Sequence, residues 1–483
     1  MELLSNHPHV TVCLVDRERI QFYHANHSVV LISSIIDLSL RKDGGGIDKL
    51  IAVLIAFRRL SLHDRRIMEP VQNATILRLE GNKELGGPIE VTLGTAIYLY
   101  PLLVGRSTMV VYGMSSRWPE SRVVVKISWV DGCRVSEKEF MDKAVEEATK
   151  SGHEWALNHL PRFFYAEDVN DPTYRSVQEL FKMAHFANRE YTYRQRQMRI
   201  VVQEPLHPLD TLGNVRDIGQ VILDTTCGVC SLLSICRSLF IDTYLVHRWL
   251  YDHPGIFHGD LNPNNIMYRI IEGQVHGVLT DYDLSSWKAT LSSKQVGGSI
   301  LFMAQEILKG TSPVHLYRHD VESLFYVMLI ICGHHTISHT RVGSGDGGKL
   351  RVIMRAGRLP YQSWLEEPSD VLGSLKESFF SNMEVIKLSS SFEGFRMWLQ
   401  DLQCHFCKGF VLKNSHELQG KTVGSHTDGL ALFDDETLGG CIDYSTFIEP
   451  VRRLTGDLKG LVIRYDPLPY SPRALTNSTP LCN

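Results

Sequence analysis

The sequence predicts an α+β protein with a β-rich N-terminal lobe and a mainly helical C-terminal lobe. Three observations indicate this division. Short runs rich in Val, Ile and aromatic residues recur through residues 76–204 and alternate with turn-like residues. Apolar residues at helical spacing dominate residues 205–414. The chain has 483 residues, 43% of them hydrophobic, which is enough for two or three domains or lobes.

Residues 1–75 precede the predicted N-terminal lobe and form an extension to it. Strand-like runs at residues 11–16, 19–23 and 29–36 predict a small antiparallel meander. Residues 49–60 then show apolar side chains at helical spacing, with arginines near the end where they favour the helix dipole. We expect the meander and this helix to pack on the N-terminal lobe.

The N-terminal lobe is predicted to contain a series of short strands. They lie at residues 76–80, 89–93, 97–104, 109–113 and 123–128. A tight turn that includes Gly105 joins the third strand to the fourth. Lys126 lies on the last strand, within the run Val-Val-Val-Lys. Taken alone, a lysine on a strand is more often a surface side chain than a ligand.

A helix is predicted at residues 137–150, with Ser136 as its N-cap. Its acidic residues are candidate partners for the strand lysine. Glu137 is the favoured partner, although it follows the lysine by only eleven residues, and Glu139 and Glu146 remain alternatives. Any one of them could instead belong to a solvated helix face.

Residues 199–204 form an apolar run that ends at Glu204 and is followed by two prolines and a glycine. This pattern predicts a strand that leads into the connection between the lobes. Two helical patterns follow within residues 215–250, and the second of them, at residues 240–250, leads to the next motif.

Residues 258–265 read His-Gly-Asp-Leu-Asn-Pro-Asn-Asn and carry the strongest chemical signal in the chain. Asp260 is followed five residues later by Asn265, which is the spacing of a kinase catalytic loop. Strand-like residues then lead to Asp281. In phosphoryl transfer such a set supplies a carboxylate that accepts the hydroxyl proton, and an amide and a second carboxylate that bind magnesium. Each aspartate alone could instead be a turn residue.

The residues after this second aspartate predict a long loop and then a buried helix. Residues 285–294 are rich in Ser and Lys, and the triplet Ala-Gln-Glu at 304–306 closes the loop. Residues 320–333 are apolar on nearly all sides, as in a central helix. Asp320, at the start of this helix, is expected to tie down the backbone of the preceding Asp260 loop.

From about Val10 to about Leu412 the chain resembles the fungal-type protein kinase family, a divergent branch of the protein-kinase-like fold. Besides the motifs above, the resemblance rests on residues 19–26, 103–106, 298–304 and, most specifically, 318–326. It implies a bilobal ATP-dependent kinase, presumed to phosphorylate Ser or Thr on a protein substrate, with ATP and Mg²⁺ as cofactors. The glutamate of the Ala-Gln-Glu triplet would be a buried structural ion-pair residue.

The same resemblance assigns the nucleotide-binding roles. Lys126 would hold the α- and β-phosphates with the help of Glu137. Gly105 would lie in the turn over the phosphates, although it alone remains of the usual glycine triplet. The backbone near Glu204 would bind the adenine ring.

Catalysis would fall to Asp260 as base, with Asn265 and Asp281 as magnesium ligands. Residues 258–261 are also similar to the catalytic loop of aminoglycoside and choline phosphotransferases, which act on small molecules. Residues 298–306 favour a protein acceptor, because such segments form a peptide-docking platform. A third alternative is a pseudokinase that serves as a binding scaffold, which would have to explain why the catalytic set is intact.

Three residues depart from the family pattern. Gly259 replaces the arginine that clamps a phosphorylated activation loop in regulated kinases, so switching by such phosphorylation is not expected. Asn262 replaces the phosphate-steadying lysine of many Ser/Thr kinases. Asp283 replaces a glycine, and is interpreted as a capping carboxylate, with a second metal ligand as the alternative.

Composition limits the partners and the location. Fifty basic and fifty-four acidic residues give a formal charge of −4, so neither nucleic acid nor an anionic membrane is expected as a partner. Apolar runs are too short for a membrane helix, and residues 1–8 are unlike a signal peptide. An intracellular protein, cytoplasmic or nuclear, with reduced cysteines is expected. The sequence leaves the oligomeric state open.

Two further motifs imitate ligand sites. Cys227 and Cys230 together with Cys404 and Cys407 suggest a zinc site, but the pairs are too far apart for a compact module, and buried thiols are the better interpretation. Residues 343–349 imitate a phosphate-binding loop, but a leucine stands where the magnesium-binding Ser or Thr belongs.

The rest of the chain completes the predicted organisation. Residues 334–348 are expected to form a flexible loop, and residues 359–380 and 392–412 to be helical. Residues 415–440 are expected to be an exposed connection, and the tail to be disordered. The predicted domains are the extension at 1–75, the N-terminal lobe at 76–204, the C-terminal lobe at 205–414 and a partly flexible C-terminal segment at 415–483.

Overall fold

The chain folds into two compact units in a computed structural model. The first unit contains residues 1–141 and 161–205, and the second contains residues 142–160 and 206–483. The structure describes residues 9–16, 19–26, 30–32, 35–38, 48–51, 76–81, 86–100, 106–118, 122–169, 196–226, 246–290, 298–312, 314–340, 349–422, 433–443, 446–447 and 449–453. In these ranges, none of the helices combines the length and the apolar character that a membrane span requires.

The first unit contains a four-stranded sheet at its N-terminus. Its strands are β1 (His9–Asp16), β2 (Arg19–Asn26), β3 (Val30–Ile32) and β4 (Ile36–Asp37). β2 is central and pairs antiparallel with each of the other three. These strands agree with the predicted antiparallel runs, except that the run at 29–36 is divided between β3 and β4. Of the helix predicted at 49–60, the structure describes only residues 49–51, which are helical together with residue 48.

The first unit also contains a six-stranded antiparallel sheet. Its strands are β5 (Ile76–Leu79), β6 (Ile89–Tyr100), β7 (Thr108–Met114), β8 (Arg122–Asp131), β9 (Phe163–Val169) and β10 (Arg196–Gln203). The order in the sheet is β5-β6-β7-β8-β10-β9. The strands predicted at 89–93 and 97–104 are joined, because residues 89–100 form one strand, β6, and residues 101–104 lie outside the described residues. The register of β6 against β7 shifts after Leu93 and again after Ala96.

The interior of β8 explains where the core of this sheet lies. All eight residues from Val123 to Val130 are buried. Val123, Val125, Ile127 and Trp129 belong to an apolar cluster with residues of the neighbouring strands. Lys126 lies in the middle of this strand and is the one charged side chain among the eight. A charge in such a place is costly unless it is paired.

The second unit contains most of the helices that the structure describes. They are the end of α1 (Glu137–Lys150), which begins in the first unit, and α2 (Val215–Thr226), α3 (Val246–Asp252), α4 (Gln305–Leu308), α5 (Tyr317–His334), α6 (Gln362–Glu366), α7 (Ser369–Ser381) and α8 (Arg396–Thr422). All residues of α5 are buried, as predicted for a central helix.

Short strands accompany these helices. They are β11 (His207–Pro208), β12 (Ile256–Phe257), β13 (Ile266–Ile271), β14 (Gln274–Leu279), β15 (Ser286–Trp287), β16 (His335–Thr340) and β17 (Lys349–Met354). β13 and β14 form the antiparallel hairpin that leads to Asp281. The flexible loop predicted at 334–348 is wrong in its first half, because β16 pairs with β17 along its full length.

The C-terminal residues also differ from the prediction. The exposed connection expected at 415–440 begins as the last turns of α8, which extends to Thr422. It also includes Thr437 and Leu438, which are buried. The prediction that these cysteines are buried thiols is wrong for Cys404, which is exposed. Cys227 and Cys230 lie outside the described residues. The glycine-rich residues 343–348 lie outside them as well.

Candidate active site

Lys126 in the first unit is held beside a carboxylate. It pairs across the sheet with Val110 on β7 and with Val201 on β10, so it lies on an interior strand. Its Nζ donates to Glu137 Oε1 over 2.8 Å, and both side chains are almost completely buried. Of the three acidic residues considered as partners, Glu139 is exposed and Glu146 pairs with Lys143 and Lys150. The favoured pair is therefore the one that the structure contains.

The backbone before Glu137 explains how this carboxylate reaches the strand. Glu137 is the first residue of α1, and the predicted cap Ser136 accepts the Lys138 N–H with its Oγ over 3.2 Å. Buried Arg199 on β10 donates to the carbonyls of Arg134 and Val135, each over 3.0 Å. These contacts fix the turn from which α1 begins.

Arg199 is itself held by a carboxylate that is not among the predicted site residues. Its Nε and Nη2 donate to the two oxygens of Asp168 on β9 over 2.7 and 2.8 Å, in the bidentate geometry that arginine favours. The register places Arg199 opposite Asp168 in the sheet. An arginine inside an apolar strand was a sequence signal, but its partner lies 31 residues away.

Glu204 serves as a structural tie in the first unit. Its N–H donates to the Arg162 carbonyl over 3.1 Å, and its Oε1 accepts the Arg162 N–H over 3.0 Å. Its backbone N–H is therefore engaged within the chain. Gly105, the predicted phosphate-turn residue, lies outside the described residues.

In the second unit, the loop at 258–265 folds around Asp260. Asn262 caps the short helical turn Pro263–Asn265 by accepting the Asn264 N–H with its Oδ1 over 3.0 Å. Asn265 Nδ2 donates to the Asp260 carbonyl over 2.9 Å and lies 3.4 Å from Asp260 Oδ2. The spacing of five residues thus brings the aspartate and the asparagine together. Asn262 is used as a cap and supplies no cation.

The Asp260 carboxylate also contacts the backbone at Ser299. Its Oδ1 accepts the backbone N–H of Ser299 over 2.9 Å. Gly298 precedes this contact with φ +130°, and a Cβ at Gly298 would lie 3.0 Å from Asp260 Oδ1. Glycine is therefore required for the backbone to come this close.

His258 joins this loop to the strand before Asp281. Its Nε2 donates to the Thr280 carbonyl over 3.0 Å, and its Nδ1 accepts the Asp260 N–H over 3.3 Å. Burial lowers the pKa of His258, which agrees with a neutral ring in this pattern. The Asn265 carbonyl accepts the Thr280 N–H over 2.8 Å. The loop and the end of β14 thus form one connected structure.

Asp281 follows directly, with a left-handed backbone of φ 64° and ψ 74°. Aspartate tolerates this region better than most residues, and such backbones concentrate at functional sites. Asp283 lies inside the short helical turn Tyr282–Leu284, so it does not occupy the N-cap position of that turn. Carboxylate oxygens of Asp281 and Asp283 lie within 4.8 Å of each other. They could therefore approach one cation together.

These residues suit magnesium, which binds hard oxygen ligands. Asp281 offers a carboxylate. Asn265 uses its side-chain nitrogen inside the loop, which leaves its amide oxygen as the atom for a metal. Asp283 offers a second carboxylate nearby.

Gly259 adopts φ +78°, and a Cβ there would lie 3.2 Å from the Leu284 carbonyl oxygen. The backbone therefore favours glycine where regulated kinases carry their clamp arginine, because an arginine would be strained in this conformation.

Glu306, the last residue of the Ala-Gln-Glu triplet, lies in a network of cations. Its carboxylate contacts Arg318, lies 2.7 Å from Lys413 Nζ and lies 3.5 Å from His319 Nε2. Burial would raise the pKa of Glu306, but the hydrogen bond from His319 and the two positive charges outweigh burial and lower it strongly. The expected ion pair is therefore present, although Glu306 is partly buried and not fully buried as expected.

Lys376 on α7 is not among the predicted site residues, although the sequence contains a signal for it. Leu372, Lys376, Phe379 and Phe380 recur at helical spacing, so the lysine lies on the apolar face of its helix. All four residues are buried. A lysine on such a face needs a special partner.

Comparison with known families places this geometry in context. The model of the fungal protein kinase family matches residues 13–332, which is more than half of the chain. No curated protein matches the sequence. The matched residues include Lys126, Glu137, Asp260, Asn265 and Asp281.

Proposed function

The chain belongs to the fungal protein kinase family, and on that basis we propose that it transfers the γ-phosphate of ATP to a Ser or Thr hydroxyl of a protein substrate. Two groups of residues support the proposal. One is the buried pair of Lys126 and Glu137 in the first unit. The other is the connected set of Asp260, Asn265 and Asp281 in the second.

In the proposed reaction, Lys126 binds the α- and β-phosphates and Glu137 keeps its ammonium oriented. Asp260 accepts the proton of the substrate hydroxyl as the oxygen attacks the γ-phosphorus. The bond from this phosphorus to the bridging oxygen breaks, and ADP leaves. Asn265 and Asp281 supply oxygen ligands to magnesium, with Asp283 close enough to join them. Bound magnesium neutralises charge on the phosphate oxygens.

The observation that carries the proposal is the hydrogen bond from Ser299 N–H to Asp260 Oδ1. It links the proposed base to the residues expected to dock a peptide. A base that is oriented by such a segment suits a polypeptide acceptor better than a small molecule. We therefore favour the protein kinase over a small-molecule phosphotransferase.

Thermal unfolding of the purified chain with ATP, with and without Mg²⁺, tests nucleotide binding. A ligand that binds the native state alone raises its stability, by about 2.7 kcal/mol at a hundred times its dissociation constant. We expect a magnesium-dependent shift in the wild type and none in Asp281→Asn, because asparagine retains the backbone preference but loses the charge. Asp370→Asn, on the surface of α7, is the matched control and should behave as the wild type.

Transfer from ATP labelled on the γ-phosphate to a Ser/Thr peptide library, with aminoglycosides and choline in parallel, then tests the acceptor. Transfer to peptides that is lost in Asp260→Asn supports the proposal. Transfer confined to the small molecules would replace it with the phosphotransferase alternative. Absence of both binding and transfer would favour a scaffold.

A further inference from the structure

Lys376 is buried at the contact between α7 and the residues that follow Ser299. Its Nζ donates to the carbonyls of Leu301 and Met303 over 2.8 and 2.6 Å. It also lies 3.9 Å from the centre of the Tyr326 ring. The lysine is completely buried. An ammonium group in this position can satisfy two carbonyls of one turn, which an apolar side chain cannot do.

A second buried group holds the end of the same turn. Glu322 on α5 accepts the Gln305 N–H over 2.8 Å and the Tyr326 hydroxyl over 2.6 Å with the same Oε1. α7 lies close to this region because Gly373 has no side chain. A Cβ at Gly373 would lie 2.8 Å from Lys309 Cγ. Residues 299–305, the docking turn, are therefore fixed by α5 and α7 together.

The other end of the docking turn reaches the proposed base. Ser299 donates its N–H to Asp260 Oδ1, and the Ser299 carbonyl accepts the Phe302 N–H over 2.8 Å. The turn is thus closed on itself between the lysine contacts and the aspartate contact. A displacement of the Leu301 and Met303 carbonyls would move Ser299 as well.

We propose that Lys376 is a positioning residue for phosphoryl transfer, which holds the docking turn and, through Ser299, the Asp260 carboxylate. This proposal rests on the proposed function. Lys376 touches neither the nucleotide nor the reacting atoms in this scheme, and its effect is on geometry. A small misplacement of a catalytic group can lower a rate by roughly 10²-fold.

The charge of Lys376 gives the proposal a pH signature. Burial lowers the pKa of Lys376 to about 7, against the opposing effect of Glu322. The titratable groups that face the ammonium are Glu322 and Tyr326 on α5, and the Trp364 ring of α6 lies 5.8 Å away. Loss of the proton weakens the hold on both carbonyls. Transfer should therefore fall as the pH rises through about 7.

The test compares Lys376→Met with Lys309→Met in the full chain. Lys309 lies at the same helix contact, but its side chain is partly exposed and its Nζ pairs with the exposed Glu377 over 2.8 Å. We expect Lys376→Met to lower kcat for peptide transfer by roughly 10²-fold, with little change in the KM for ATP, and to lose the alkaline fall. Lys309→Met should match the wild type in all three quantities.

Hydrogen exchange of residues 298–306 is the second readout and needs no turnover. Lys376→Met should increase exchange there, and Lys309→Met should not. Absence of transfer by the wild type would defeat the proposed function, whereas unchanged exchange in Lys376→Met would overturn the role of Lys376. Faster exchange with unchanged kcat and pH profile would overturn it also.

Glu322→Gln keeps the proposal testable if Lys376→Met does not fold. Glutamine retains an oxygen that can accept from Gln305 and Tyr326, but it removes the negative charge that raises the pKa of Lys376. The alkaline fall in transfer should move to lower pH by about one unit. An unmoved fall would contradict the assignment of the pH effect to Lys376.

Discussion

The backbone N–H of Gly259 donates to Asp320 Oδ2 over 3.1 Å, so the loop that carries Asp260 is tied to the start of the central helix. The same oxygen lies 2.9 Å from His247 Nε2, and Asp320 Oδ1 lies 3.2 Å from His315 Nε2. Burial would raise the pKa of Asp320, but the hydrogen bond from His247 and the close contact with His315 outweigh burial and lower the pKa strongly. A charged carboxylate thus anchors the loop.

Asp320→Asn should destabilise the chain by about 3 kcal/mol, because it removes the negative charge from a buried set of ionic contacts. Since the pKa of Asp320 is lowered in the native state, its contribution is present above the carboxyl pKa of the unfolded chain, about 4, and is lost as the pH falls below it. Urea unfolding at pH 7 measures the loss. The surface variant Asp370→Asn should unfold as the wild type does, and equal stability of the two variants would contradict the anchor role.

The pair of Lys126 and Glu137 should show strong energetic coupling. Lys126→Met and Glu137→Gln each break the buried ion pair, which should cost about 3 kcal/mol. The double variant should cost less than the sum of the two by 1 kcal/mol or more, on the order expected for residues in contact. Urea unfolding of the four proteins gives this coupling.

The surface pair of Lys143 and Glu146 on the same helix is the control for that cycle. Its two charges lie 3.1 Å apart but are widely exposed, so the same substitutions should show no measurable coupling. Equal coupling in both pairs would mean that burial does not strengthen the Lys126 contact. Lys126→Met should in addition lose the shift with magnesium and ATP.

Local spacing explains which parts of the site could be predicted. Lys126 and Glu137 lie eleven residues apart, and Asp260 and Asn265 five apart, so strand, turn and helix geometry alone bring each pair together. The central helix was equally evident from its apolar residues. For Asp283, by contrast, sequence could not choose between a cap and a ligand, because that depends on where one short helical turn begins.

Contacts distant in sequence explain what could not be predicted. Lys376 meets Leu301 across 75 residues, and Arg318 meets Asp435 across 117. No local pattern specifies such partners, although burial of a charged residue can be inferred from helical spacing. The polar composition of residues 415–440 predicts an exposed connection. Asp435 is one of these polar residues, yet its carboxylate binds the buried Arg318.

His319 should make the stability of the chain sensitive to mild acid. Its Nδ1 accepts the Leu316 N–H over 2.9 Å. Burial, together with the charges of Arg318 and His315, lowers the pKa of His319 to about 3, against the opposing effect of Glu306. The unfolded chain binds a proton at this histidine below about pH 6.5, and the native chain does not. Stability is therefore lost as the pH falls from 6.5, by about 2 kcal/mol between pH 7 and pH 5.

Urea unfolding of His319→Gln at pH 7 and pH 5 measures this contribution. Between pH 7 and pH 5, the free energy of unfolding should fall by about 2 kcal/mol less in the variant than in the wild type. His207→Gln, at an exposed histidine, should retain the wild-type dependence. Parallel dependence in all three proteins would show that His319 is not the group responsible.

Asp435 should contribute to the position of Glu306, although it lies beyond the residues that match the family. Its Oδ1 accepts from Arg318 Nη2 over 2.8 Å and from Lys413 Nζ over 2.7 Å, the two cations that also contact Glu306. Asp435→Ala removes hydrogen bonds to charged groups, one of them fully buried, and should cost about 2 kcal/mol. Urea unfolding measures this loss.

Asp401→Ala is the matched control, because Asp401 Oδ2 pairs with Arg453 over 3.0 Å but on the surface. It should cost about 1 kcal/mol or less. Glu306 directly follows the docking turn, so Asp435→Ala should also increase hydrogen exchange at residues 304–308. Asp401→Ala should leave this exchange unchanged. If Asp435→Ala alters stability but not this exchange, the C-terminal residues stabilise the second unit without acting on the segment that ends at Glu306.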